Sequence, residues 1–127
     1  MNEEYRRIEV NGRRYYGKHL IASLKKCNDN VLNKEFLTEF LRTLVKKIDM
    51  VAFGDPFVER FGQGIEIGIS GVQLIETSAI TIHTNDGARD LYLDIFSCKD
   101  FEPQTALAFV YECFAPEHVE HEVLLRK

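Results

Sequence analysis

The sequence predicts an α+β fold: a single antiparallel β-sheet with two helices packed on one face, an α/β sandwich-like arrangement. Apolar residues in the middle of the chain recur at every second position, as half-buried strands require. An earlier segment recurs at three- and four-residue steps, and a proline opens a second helical segment near the end. The length, 127 residues, suits one domain over 1–127 with a real core.

"IEVNGRRYY" reads as a β-hairpin, because Asn11-Gly12 can supply the positive φ angles of a tight type I′ turn. It makes residues 1–16 an N-terminal hairpin extension. "KHLIASL" follows as a strand, punctuated by "CNDN". Phe36, Leu37, Phe40, Leu41, Leu44, Val45 and Ile48 then mark a helix, with Asn33 as its N-cap. "MVAFG" is expected to be a short strand and "GDP" a break. Three strands follow. Ile65, Ile67 and Ile69 alternate with Glu66, Gly68 and Ser70. Ile80 and Ile82 alternate with Thr81 and His83, and Leu91, Leu93 and Ile95 with Tyr92, Asp94, Phe96 and Cys98. Each has an aliphatic face to pack on helices and a second, mixed face. Pro103 suits the first turn of a helix through about Phe114, and "HVEHEVLL" is the last strand.

The formal net charge of −4 argues against a general nucleic-acid binder, whose footprint would be basic. Arg6, Arg7, Arg13, Arg14 and Lys18 cluster early, but glutamates interleave with them as on a solvated face. No stretch approaches the ~20 apolar residues of a membrane span, and no signal-peptide core stands at the N-terminus. The expected compartment is cytoplasmic. Cys27, Cys98 and Cys113 form no zinc or disulfide pattern, so no metal is expected and the thiols are free.

Parity places Ser70, His83 and Cys98 on the mixed faces of three successive strands, so they project to one side of a shared sheet. "GKHLIASLKKCN", "GISGVQLIETSAITIHT" and "LYLDIFSCKDFEP" resemble motifs of the small prokaryotic S-adenosylmethionine decarboxylases, pyruvoyl enzymes that cut themselves. Ser70, Ser78, His83 and Cys98 fall at that family's separations without a gap.

The resemblance implies roles. Ser78 resembles the serine whose hydroxyl attacks the carbonyl before it, here that of Thr77. Elimination then gives a dehydroalanine that hydrolyses to a pyruvoyl group. His83 resembles the base of that elimination, and Ser70 the serine that steers processing. Cys98 resembles the acid that returns a proton to the substrate after CO₂ leaves. A pyruvoyl ketone forms a Schiff base with a substrate amine and replaces pyridoxal phosphate. The implied protein takes a small amino-acid-type substrate, serves polyamine (spermidine) synthesis and works as a homodimer of cleaved protomers.

Ser78 and His83 are an odd number of residues apart, so an unbroken strand would point them to opposite faces. A kink, bulge or chain break is therefore expected between about Thr77 and Thr81. The chain also departs from the family pattern. Thr77 stands where glutamate is usual and Ala79 where histidine is. The family's ribose-binding glutamate falls on Gly87. Its adenine-stacking aromatic falls on Gly64, and Phe61 fills that role if the loop is shifted. Three readings stay open. The pocket is rebuilt for S-adenosylmethionine, with Asp86 or Asp90 as the carboxylate. Or the substrate is ornithine or arginine, its distal cation paired with Asp86, Asp90 or Asp94. Or the protein is an uncleaved, non-catalytic binding or regulatory subunit.

Overall fold

A computed structural model describes residues 3–127. Residues 1 and 2 of the expected extension lie outside the described residues. Strands β1 (Ile8–Val10) and β2 (Arg13–Tyr15) form the N-terminal hairpin, a small sheet of its own. Asn11 and Gly12 turn it with φ of 52° and 79°, as the sequence demanded.

The main sheet has six strands: β3 (Gly17–Lys25), β4 (Phe57–Phe61), β5 (Gly68–Ile75), β6 (Ser78–Asn85), β7 (Asp90–Ser97) and β8 (His118–Arg126). Their order is β4-β5-β6-β7-β3-β8, and every pairing is antiparallel. Helices α1 (Lys34–Lys47) and α2 (Pro103–Phe114) pack on one face. Leu20, Ile69, Ile80, Leu93 and Ile95 from the sheet share one core with Leu37, Phe40, Leu41 and Leu44 of α1 and Val110 and Phe114 of α2. Asn33 caps α1 by accepting the Phe36 N–H at 3.0 Å, and Pro103 opens α2. No helix among the described residues is long and apolar enough to cross a membrane.

Three local readings need correction. "MVAFG" makes only an isolated bridge, Ala52 to Ile75, because β4, which the alternation did not reveal, takes the edge of the sheet beyond it. Ile65 is not in a strand. It lies in a 3-10 turn, Gly64–Glu66, and is 92% exposed. Gly62 and Gly64, with φ of 110° and 58°, end the extended run there. Cys98 lies just past the end of β7, not within it.

Among the described residues, the opposite face of the sheet carries no helix. It exposes the mixed faces of β5, β6 and β7, among them the candidate residues Ser70 and His83. Gly68 lets β5 and β6 close tightly at this point: a Cβ there would lie 1.8 Å from the Thr84 carbonyl oxygen.

Candidate active site

The chemistry-bearing residues form two groups on one strand pair. Ser70 of β5 and His83 of β6 are direct cross-strand partners, and Ser70 Oγ lies 2.8 Å from His83 Nδ1. The imidazole stacks on Tyr92 of β7 at 6.4 Å. Around them lies an open cleft of about 460 Å³, lined also by Phe57, Phe61 and Asp94. Asp94 is hydrogen-bonded to His19 Nε2 at 3.0 Å. A second hollow adjoins it and shares Phe61 and His83, and Glu66 lines it from the 3-10 turn. Phe61, at the end of β4, lines both hollows.

The second group lies at the other end of β6. A two-residue turn, Glu76-Thr77, joins β5 to β6, and Ser78 is the first residue after it. Ser78 has φ of 151°, a region that side chains other than hydrogen rarely adopt. This unusual angle lies within the stretch where a distortion was expected, but the β6 ladder from Ser78 to Asn85 is unbroken and does not bring Ser78 to His83. No hydrogen bond holds the Ser78 hydroxyl among the described residues. The carbonyl of Thr77, which that hydroxyl would attack, accepts the backbone N–H of Cys98 at 3.0 Å. Thr77 Oγ1 lies 2.8 Å from Ser97 Oγ, which donates to the Lys99 carbonyl at 2.8 Å and accepts the Lys99 N–H at 3.0 Å.

Sequence reasoning missed Ser97 and Glu66. Ser97 carried a usable signal: it continues the aliphatic parity of Leu91, Leu93 and Ile95, and it is fully buried. A buried hydroxyl must find partners, and here those partners fix the turn bearing Thr77. Glu66 carried none, because its neighbours read as a strand.

The remaining expected residues lie elsewhere. Asp86 is ion-paired with Arg60. Asp90 accepts Lys25 Nζ at 3.3 Å and the Lys26 N–H at 3.2 Å, pinning the turn before Cys27. Neither lines the cleft with Ser70 and His83. Burial raises the thiols of Cys27 and Cys113 to about 11. Among the described residues no group of three or more His, Cys, Asp or Glu is placed to hold a metal ion.

The profile of the S-adenosylmethionine decarboxylase family matches residues 18–127. The chain belongs to that family. It is 34% identical over 115 residues to an S-adenosylmethionine decarboxylase proenzyme of Clostridium botulinum, covering 89% of this chain and 96% of the relative. A proenzyme of the same name from Archaeoglobus fulgidus is 32% identical over 111 residues, covering 87% and 96%. The fold matches a crystal structure of the adenosylmethionine decarboxylase from Aquifex aeolicus with a TM-score of 0.73 at 24% identity, over 88% of this chain and 91% of that one. The hairpin β1–β2 precedes the region that the S-adenosylmethionine decarboxylase profile matches.

Proposed function

We propose that the chain cuts itself between Thr77 and Ser78 and then decarboxylates S-adenosylmethionine by means of a pyruvoyl group made from Ser78. The observation that carries this reading is the local state of the bond to be cut. Ser78 is strained at φ 151°, and the carbonyl before it is hydrogen-bonded at 3.0 Å by the Cys98 N–H. Attack by the hydroxyl would place negative charge on that oxygen, and a fixed N–H donor is what stabilises it. Backbone strain of this kind costs of order 1–3 kcal/mol, and cleavage releases it. These features fit the generation of a pyruvoyl group at Ser78.

The pyruvoyl ketone supplies an electron sink for the charge left when CO₂ departs. We assign the return of a proton to the thiol of Cys98, whose backbone N–H bonds the Thr77 carbonyl. Ser70 and His83 form the hydrogen-bonded pair that handles the proton during processing. On the nucleoside side, Phe61 offers a ring face and Glu66 a carboxylate in adjoining hollows. Glu66 takes the part first expected of Asp86, whose carboxylate already pairs with Arg60. The curated relatives carry the name S-adenosylmethionine decarboxylase proenzyme, which favours this substrate over ornithine or arginine.

One chain does not complete the site. Ser78 and His83 are five residues apart on the same extended strand. At the rise of a β-strand that is about 16 Å, far beyond the roughly 3 Å needed for proton transfer. The protein is accordingly a homodimer in which Ser70, His83 and Phe61 of one protomer face Thr77, Ser78 and Cys98 of its partner. The helix-free sheet face, with Phe57 and Phe61 66% and 61% exposed, offers the surface.

The test is CO₂ release from carboxyl-labelled S-adenosylmethionine, ornithine and arginine, each given separately to purified protein. Release from S-adenosylmethionine alone is expected. Release only from one of the basic amino acids would replace the substrate assignment, and release from none would remove the enzymatic reading.

A further inference from the structure

Residues 1–17 precede the family match, yet the described part of this segment closes over the Cys98 end of the sheet. Ile8 of β1 is 1% exposed, so the hairpin is anchored. Tyr5 packs on Tyr16, and Tyr16 on Phe96 of β7, with ring centres 6.3 Å apart in each case. Gly17 passes so close to the end of β7 that a Cβ there would lie 2.5 Å from the Phe96 ring and 3.1 Å from the Ser97 carbonyl oxygen. The hairpin then folds back, and Arg7 Nη2 donates a hydrogen bond to Cys98 Sγ at 3.4 Å.

The charges at this end are unusual in their pairing. Lys18 is ion-paired with Asp100 at 2.6 Å and Lys99 with Asp49 at 3.3 Å. Arg7 and Arg126 are in no ion pair among the described residues. Arg7 faces a thiol, and Arg126 lies over the Phe96 ring at 4.6 Å. Of these two guanidinium groups, Arg7 is the one that meets Cys98, and no carboxylate pairs with it among the described residues. An uncommitted guanidinium fork is suited to a carboxylate, which it can grip through two parallel hydrogen bonds.

Resting on the decarboxylase reading above, we propose that Arg7 is the receptor for the substrate α-carboxylate. The thiol that protonates the α-carbon must approach that carbon closely, and the carboxylate is one bond away from it. A guanidinium in contact with the sulfur therefore falls within reach of the carboxylate. Loss of CO₂ breaks the bond between the two carbons and leaves its electron pair on the substrate. The Cys98 proton then goes to the α-carbon, and solvent returns one to sulfur. The N-terminal hairpin, which precedes the profile match, is thus a part of the active site.

The experiment measures binding instead of turnover. In full-length Ser78→Ala protein, which holds substrate without reacting, calorimetry compares S-adenosylmethionine with its decarboxylated product, with and without Arg7→Met. Arg7→Met is expected to weaken S-adenosylmethionine roughly tenfold or more, the size of a lost charge-assisted hydrogen bond, and to change the product less than about twofold. Arg7→Lys should recover part of the loss. Equal weakening of both ligands would make Arg7 a structural residue and overturn the proposal. No weakening of either would overturn it too. If the Ser78→Ala parent binds neither ligand, the substrate assignment itself fails and the proposal with it.

Discussion

Ser70 Oγ and His83 Nδ1 lie 2.8 Å apart across neighbouring strands, and His83 stands about 16 Å along β6 from Ser78. A site split in this way complements between chains. Ser78→Ala chains and His83→Ala chains should each remain uncut or be cut slowly when made alone. Co-produced, they should form mixed dimers in which the His83→Ala chain is cut by its partner's intact histidine. Gel analysis with a tag on one chain reads this directly. Absence of cutting in a verified mixed dimer would place the whole site within one protomer.

The φ of 151° at Ser78 makes a second expectation. Glycine adopts that angle without strain, whereas alanine does not. Ser78→Gly and Ser78→Ala both lack the hydroxyl and should stay uncut. The glycine variant should nevertheless be at least as stable in urea, despite the roughly 0.5–1 kcal/mol that glycine ordinarily costs in a strand. A glycine variant clearly less stable than the alanine variant would mean that no strain is stored there.

Ser97 Oγ makes three hydrogen bonds at 2.8–3.0 Å, one to Thr77 Oγ1 and two to the Lys99 backbone, and so ties the Thr77 turn to the end of β7. Ser97→Ala leaves those partners unpaired in a buried place, at a cost of about 1–3 kcal/mol. It should also slow processing, because the Thr77 carbonyl loses its fixed position. Unchanged cutting in a destabilised variant would separate the two roles.

Much of this was legible in the chain itself. Alternation in β6 and β7 and the period of α1 gave the layers, and Asn33 and Pro103 marked helix starts through local chemistry. The spacing of Ser70, Ser78, His83 and Cys98 pointed to the candidate site, and the odd step from Ser78 to His83 pointed to the stretch in which Ser78 takes its unusual φ. β4 escaped notice because it is a five-residue edge strand whose two phenylalanines, Phe57 and Phe61, face solvent and whose one buried side chain is Val58. The turn at Gly64–Glu66 was misread because Ile65 and Ile67 imitate strand parity while two glycines set the backbone. Nothing local in the sequence could bring Arg7 to Cys98, since that contact spans 91 positions.

Phe61 and Glu66 border adjoining hollows beside His83. Phe61→Ala and Glu66→Gln should each weaken S-adenosylmethionine binding to Ser78→Ala protein by roughly tenfold, the scale of one stacked ring or one charge-assisted hydrogen bond. Both side chains are exposed, so urea stability should change little. Binding that survives both changes together would move the nucleoside site elsewhere.

Cys27 and Cys113 are raised to about 11 from 9.0, chiefly by burial. Between those values the unfolded chain releases thiol protons that the folded chain retains. The unfolded state then binds fewer protons, so stability falls as pH rises through about 9 to 11. Cys27→Ala with Cys113→Ala should flatten that fall in urea titrations. An equally steep loss in the double variant would assign it to other groups.

The most direct measurement is the intact mass of purified protein, before and after hydroxylamine. Two fragments divided before Ser78, the larger-numbered one bearing a carbonyl that hydroxylamine traps, are the result this account predicts. A single uncut chain of 14.7 kDa with no trapped carbonyl, in protein that still releases CO₂ from S-adenosylmethionine, would contradict it.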